Sequence, residues 1–190
     1  ENYDHEIFTP FCDPTYWVPG KEYGLFNGPY SSLRRCIYGK DTYEYVLDYS
    51  TQFLNSYSGE RKYLEMYFLD GHELTNEVVT YLDKPLYDWL RMHEDFFFST
   101  NTTIFFITDH GLHMNGFSGA LNLEDIIKEL VLPNLMVLLP RHVADAGYGA
   151  AMKQNENVMI GSYDIHSLLQ EISGARNFSY FGQTPTRYVS

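Results

Sequence analysis

The chain has 190 residues, of which 44% are hydrophobic and 17% aromatic, and its formal net charge is −12 at pH 7. This length and composition predict a folded globular protein, most simply one domain with a sizeable core, and exclude an intrinsically disordered chain. The excess of 25 acidic over 13 basic residues repels phosphate backbones and anionic membrane surfaces, which argues against a nucleic-acid partner. No apolar run approaches the length of about 20 residues that a transmembrane helix needs.

The first 40 residues differ in character from the rest of the chain. They are rich in Pro, Gly and Tyr without sustained periodicity, which predicts an irregular segment on the surface of a domain. Acidic residues stand where a signal peptide needs a basic and then an apolar stretch. Because the chain starts at Glu1 and not at Met, we expect a processed product or a piece of a longer polypeptide.

The cysteines and two glycosylation sequons bear on the cellular compartment. Cys12 and Cys36 favour either a disulfide or two buried thiols, and the sequence leaves their pairing open. Sequons at Asn101 and Asn177 are typical of a glycoprotein. We therefore predict a location in the secretory pathway, lumenal or extracellular.

From Asp41 onward the sequence becomes periodic. Apolar residues at three- and four-residue spacing predict an amphipathic helix over 42–57, with Asp41 as its N-cap. A helical run over 78–97 contains Pro85, which predicts a kink or a second helix that begins near Asp83. The other predicted elements are strands at 62–70, 103–108 and 134–140 and helices at 122–130 and 162–174, the last with a Ser cap.

Strands that alternate with helices are typical of parallel βαβ units. We therefore predict a three-layer α/β domain with a mostly parallel sheet. The domain is expected over residues 41–175, between the irregular segment 1–40 and a tail at 176–190.

The predicted strand at 103–108 runs directly into Asp109-His110-Gly111. Ligands of open α/β folds bind outside the carboxyl ends of strands, so an acid and an imidazole at this place are well situated for a metal or a substrate. Adjacent side chains of a strand point to opposite faces, and both reach one ion only where the chain turns, which Gly111 permits. A carboxylate oxygen with an imidazole nitrogen suits Zn, Mn or a similar ion. The alternative is a loop-capping Asp beside a solvent-facing His.

Four segments, in order and with suitable spacing, resemble the alkaline phosphatase superfamily, in particular its sulfatase-like and lipoteichoic-acid-synthase-like group. The strand and turn TIFFITDHG resembles the place where these enzymes carry "SDHG" or "TDHG". The resemblance covers about residues 30–175. The other three segments are YFLDGHE at 67–73, KELVLPNLMVLLP at 128–140 and GSYDIHSLLQEISG at 161–174.

The resemblance implies an alkaline-phosphatase-like fold and roles for three residues. Asp109 and His110 would be ligands of a divalent metal (Zn, Mn or Ca), and His72 would contact the phosphate or sulfate group of an ester substrate. Such a cation polarises the ester oxygen, and a donor imidazole adds a hydrogen bond. The alternative for His72 is a turn histidine bonded to nearby backbone. Asp70 lies two residues from His72 and not four as in two-metal members, so a second complete metal site is not predicted.

Two features of the family have no counterpart here. In residues 1–40 we find neither a first strand ending in metal-binding acids nor a following helix that carries a nucleophile. We therefore expect the C-terminal part of a metal-dependent phosphoester or sulfoester hydrolase that lacks the N-terminal strands, is inactive alone, and is completed by upstream residues or a partner chain. The alternative is a non-catalytic structural or binding subunit that retains the fold.

Overall fold

A computed structural model describes residues 4–7, 36–71, 78–99, 102–111 and 123–173 of the chain. The chain divides into two compact units, Glu1–Pro140 and Arg141–Ser190. The predicted domain boundaries at residues 40 and 175 stay predictions. Within the described residues, no helix is both long enough and apolar enough to cross a membrane. The first unit contains β1 (Cys36–Ile37), β2 (Lys40–Asp41), α1 (Thr42–Ser56), α2 (Val78–Met92), α3 (Glu94–Ser99), β3 (Ile104–Ile107), α4 (Leu123–Val131) and β4 (Leu135–Leu138).

A short hairpin precedes the first helix. β1 and β2 pair antiparallel, with Cys36 opposite Asp41, and the two residues between the strands, Tyr38 and Gly39, have φ angles of 51° and 83°. Two successive positive φ angles are characteristic of a type I′ turn, whose twist matches that of the flanking strands. The prediction of an irregular segment is therefore wrong for residues 36–40, and most of 1–35 lies outside the described residues. Cys36 has an exposed thiol that is free in this structure, so the expectation of a buried thiol is wrong for this residue. Cys12 lies outside the described residues, and its pairing with Cys36 stays open.

The predicted helix at 42–57 is confirmed as α1. The Asp41 backbone N–H donates to the Glu44 side chain at 3.0 Å, which satisfies a backbone donor at the N-terminus as a capping box does. The buried apolar residues of α1 recur at three- and four-residue spacing, so one face of the helix packs inward. Three of them, Tyr43, Leu47 and Leu54, belong to the core.

The core of the first unit forms where α1 meets the next two helices. Leu82 and Trp89 of α2 and Phe97 of α3 are buried together with the α1 residues. Leu64, Met66 and Phe68 pack against the same cluster. These three alternate with exposed residues along 61–69, as the predicted strand requires, but within the described residues this extended segment joins no β-ladder.

The helical run after residue 78 is divided at a different place from the predicted one. α2 is continuous through Pro85, so the predicted alternative of a second helix starting near Asp83 is wrong. The division comes at His93, between α2 and α3. His93 nevertheless keeps helical hydrogen bonds, because its N–H donates to Trp89 O at 3.1 Å and its carbonyl accepts from Phe97 N at 3.0 Å.

The predicted strands at 103–108 and 134–140 are confirmed as β3 and β4. They pair antiparallel, with Ile104 opposite Leu138 and Ile107 opposite Leu135. The connection between them includes α4, which confirms the helix predicted at 122–130. A connection of this length permits either parallel or antiparallel pairing. Both described sheets are two-stranded and antiparallel, and the three-layer arrangement with a mostly parallel sheet stays a prediction.

The second unit is helical where it is described. A helical stretch not predicted from sequence follows Pro140 and consists of α5 (Arg141–Val143), a π-helical turn (Ala144–Tyr148) and α6 (Gly149–Gln154). The helix predicted at 162–174 is confirmed as α7 (Ser162–Ser173). Its predicted Ser cap is wrong, because Ser162 is already helical and the Asp164 carboxylate accepts the Gly161 N–H at 2.8 Å.

Candidate metal centre

The Asp109-His110 turn follows the end of the β3–β4 pair. Beyond the last strand residue, the Thr108 N–H donates to Asn134 O at 3.0 Å. The Asn134 N–H donates to Thr108 Oγ1 at 2.7 Å. These two bonds join the segments of β3 and β4 directly before the turn, so the backbone that leads into Asp109 is held against the β4 segment.

The side chains of Asp109 and His110 lie against each other in this turn. Asp109 Oδ1 accepts the His110 backbone N–H at 2.9 Å. His110 Nδ1 lies 2.7 Å from Gly111 O, and His110 Nε2 lies 3.3 Å from Asp109 Oδ2. The turn therefore brings together the two side chains that a straight strand would have pointed to opposite faces.

The bond to Gly111 determines which imidazole nitrogen carries the proton. A carbonyl oxygen only accepts hydrogen bonds, so Nδ1 is the donor in this contact. In the neutral ring Nε2 then carries the lone pair, 3.3 Å from Asp109 Oδ2. An imidazole lone pair and a carboxylate oxygen at the same place form the donor set that a divalent cation binds. A backbone carbonyl that orients the other ring nitrogen is the usual second contact of a metal-binding histidine.

The spacing of the two donor atoms fits a single ion. Two ligands at about 2.0–2.1 Å from a tetrahedral zinc lie roughly 3.3–3.4 Å apart, and Nε2 and Oδ2 are separated by 3.3 Å. The Asp109 side chain is 76% exposed and that of His110 37%. Both side chains are thus accessible to solvent.

The pair supplies fewer ligands than a catalytic zinc site usually has. Such sites have three protein ligands, and among the described residues no three His, Cys, Asp or Glu side chains lie close enough to hold one ion. Further ligands of an ion at Asp109 and His110 would come from elsewhere. The residues present therefore fit part of a metal site.

The predicted substrate contact, His72, lies outside the described residues. Its neighbour Asp70 is described and is 6% exposed. The Thr42 hydroxyl, on the first residue of α1, donates to Asp70 Oδ1 at 3.4 Å. A carboxylate at a helix N-terminus is stabilised by the helix dipole, so the geometry gives Asp70 a structural role at the start of α1.

Two polar residues that follow the turn in the sequence, His113 and Asn115, lie outside the described residues. His166 is exposed on α7. The contacts of Thr108 are not predicted from the sequence, although its place directly before Asp109 is the available signal. The partly buried hydrogen bond between His93 and Thr51, whose atoms lie 3.1 Å apart, is not predicted either.

A match to one known protein family covers most of the chain. A family described as "Protein of unknown function (DUF229)" matches residues 27–186. The chain belongs to the DUF229 family. The DUF229 match spans the core of the first unit and the Asp109-His110 turn, but its description names no activity. No curated protein and no solved structure matches the chain.

Proposed function

We propose that this DUF229 chain is the C-terminal part of a metal-dependent hydrolase of phosphate or sulfate esters. The observation that carries the proposal is the pair of metal-binding atoms, His110 Nε2 and Asp109 Oδ2, 3.3 Å apart at the end of a strand. The resemblance of four sequence segments to sulfatase-like enzymes supports the same reaction class. A family whose description names no activity is compatible with this function and does not select it.

Each residue of the turn has a defined part in the proposed site. Asp109 and His110 hold the cation, and Gly111 orients the imidazole through the contact to Nδ1. When bound, the cation polarises the ester oxygen and stabilises the negative charge that develops as the bond breaks. His72 donates a hydrogen bond to an oxygen of the phosphate or sulfate group, which adds to that stabilisation.

The donor atoms favour some metals over others. Imidazole suits Zn and related transition metals, whereas Ca²⁺ prefers six to eight oxygen ligands. The separation of Nε2 and Oδ2 also fits the short bonds of zinc better than calcium bonds of about 2.3–2.6 Å. We therefore propose Zn²⁺ first, Mn²⁺ second and Ca²⁺ last.

The proposed site needs groups from outside the described residues. The nucleophile and further metal-binding acids come from an upstream part of the polypeptide or from a partner chain, so this chain alone is inactive. The sequons at Asn101 and Asn177 support a secreted or lumenal glycoprotein. Both sequons lie outside the residues that the structure describes.

The direct test is a titration with Zn²⁺ of the full-length polypeptide, as wild type and as Asp109→Ala. We expect the variant to lose measurable Zn²⁺ binding, because it removes one of the two ligands that the turn supplies. Asp125→Asn is the matched control, since this exposed acid on α4 is not part of the turn. In the full-length polypeptide, Asp109→Ala should also abolish hydrolysis of p-nitrophenyl phosphate or p-nitrophenyl sulfate.

The opposite result would favour a different class of protein. Zn²⁺ binding that is equal in wild type and Asp109→Ala, or absent from both, contradicts the metal site. A non-catalytic structural or binding subunit that retains the fold would then be the better description.

A further inference from the structure

We infer that Thr108 is a positioning residue, which sets the direction in which the chain leaves β3 and thereby places Asp109 and His110 for the cation. This inference rests on the proposed function, because it concerns the same metal site. It is carried by the hydrogen bonds between Thr108 and Asn134, in which Thr108 uses its backbone N–H and its hydroxyl and Asn134 uses only backbone atoms.

The contact replaces one bond of the regular ladder. In the register of β3 and β4, Thr108 is the next residue after the pair Ile107 and Leu135, so its partner is Asn134. Residues that face each other as a hydrogen-bonded antiparallel pair exchange two N–H···O=C bonds. The first of them is present, from Thr108 N to Asn134 O at 3.0 Å.

The second bond has a different acceptor. The Asn134 N–H donates to Thr108 Oγ1 at 2.7 Å and not to the Thr108 carbonyl as a regular ladder requires. The same hydroxyl oxygen lies 3.5 Å from Asn134 O, a long contact that adds little. The side chain of Thr108 therefore takes the place of its own carbonyl as the last acceptor of the pair.

This exchange has a geometric consequence for the next peptide. The Thr108 carbonyl belongs to the peptide group that leads into Asp109. Because the hydroxyl accepts the ladder bond, this peptide group is released from the strand orientation and the chain turns at Asp109. Without the hydroxyl, the Thr108 carbonyl is the acceptor that the register offers to the exposed Asn134 N–H, and its rotation back toward β4 extends the strand and moves the Asp109 carboxylate away from His110 Nε2.

Removal of the polar side chain is expected to have opposite effects at position 108 and at position 134. Thr108→Val keeps the shape and the strand propensity of the residue but removes the acceptor. Thr108→Ser restores the hydroxyl. Asn134→Ala leaves the contact intact, because only backbone atoms of Asn134 take part.

The experiment measures Zn²⁺ affinity by titration for wild type and these three variants. Loss of a group that orients a metal ligand weakens affinity by roughly 10- to 100-fold, which is the result expected for Thr108→Val. Thr108→Ser and Asn134→Ala should bind Zn²⁺ as the wild type does. Equal affinity of Thr108→Val and wild type overturns the inference, and so does equal weakening in the Val and Ser variants.

A second measurement needs no metal. Amide hydrogen exchange in the metal-free protein should be about fivefold faster at Asn134 in Thr108→Val, in keeping with the loss of one hydrogen bond, and should also increase at His110, whose N–H is bonded to Asp109. If the wild type binds no Zn²⁺, the proposed function fails, and the exchange data then decide the inference alone. Unchanged exchange at both amides in Thr108→Val overturns it.

Discussion

At the scale of single residues, the half-buried Thr51 hydroxyl makes three polar contacts. It donates to Leu47 O at 3.0 Å, accepts from Trp89 Nε1 at 3.0 Å, and lies 3.1 Å from His93 Nε2. A hydroxyl has one proton to donate and two lone pairs. Since its proton is used by Leu47, His93 Nε2 is the donor to Thr51, so the buried imidazole has its proton on this nitrogen.

The environment of His93 makes the stability of the fold depend on pH. Burial disfavours the charged ring and lowers the pKa of His93 from 6.5. As the pH falls below about 6.5, the unfolded chain takes up this proton before the folded chain does, so the free energy of unfolding decreases. The loss is complete once the pH is below the pKa of His93 in the folded protein.

The measurement is urea unfolding at several pH values between 7.5 and 5.5. We expect wild type to lose stability over this range and His93→Gln to lose less, because glutamine keeps an N–H donor for Thr51 but does not titrate. His166→Gln, a change at an exposed histidine on α7, should behave as wild type does. Parallel curves for wild type and His93→Gln would contradict the assignment.

At the scale of elements, α2 contains an unfavourable residue in its interior. Pro85 lies in the middle of Val78–Met92, and it has no N–H to donate to the carbonyl of Tyr81, four residues earlier. The helix continues because its inner face is held in the core by Leu82 and Trp89. Tertiary packing therefore overrides the local preference of proline to end a helix.

Replacing this residue should stabilise the protein. Pro85→Ala restores an N–H and removes the clash of the ring with the preceding turn, and we expect the free energy of unfolding to rise by about 1–3 kcal/mol. Lys84→Ala, at the exposed neighbouring position, should change it by no more than about 0.5 kcal/mol. Urea unfolding measures both, and a Pro85→Ala protein less stable than wild type would contradict the prediction.

At the scale of the whole molecule, the charge of the chain acts on any ion that approaches it. The net charge of −12 attracts cations and repels anionic esters, and salt screens this field over about 10 Å at 0.1 M. A metal ion at the proposed Asp109-His110 site would gain affinity from this field, and an anionic substrate of the proposed hydrolase would depend on the bound cation to offset the repulsion.

This field predicts a salt dependence of metal binding. As potassium nitrate is raised from 10 to 200 mM, we expect the Zn²⁺ affinity of the wild type to fall about threefold or more, because screening removes the long-range attraction. An affinity independent of salt would mean that contacts at the turn alone determine binding.

Elements with a strong local pattern could be predicted from the sequence. Helices α1, α4 and α7 and strands β3 and β4 follow from the spacing of apolar residues, which reports directly on which face of an element is buried. The hairpin at Cys36–Asp41 was missed because Tyr at the first positive-φ position is not a usual turn signal. The helical stretch after Pro140 was missed because it shows no comparable amphipathic pattern.

For the candidate site, the identity of the residues could likewise be predicted from the sequence, whereas their geometry could not. The sequence by itself determined which residues offer metal-binding atoms, since an acid and a histidine after an apolar strand are visible in the order of residues. Only the tertiary structure decided that their side chains meet, that Gly111 orients the imidazole, and that the Thr108 hydroxyl ends the ladder. Pairing partners and side-chain directions depend on contacts between residues far apart in the chain, here Thr108 with Asn134, and local periodicity contains no information about them.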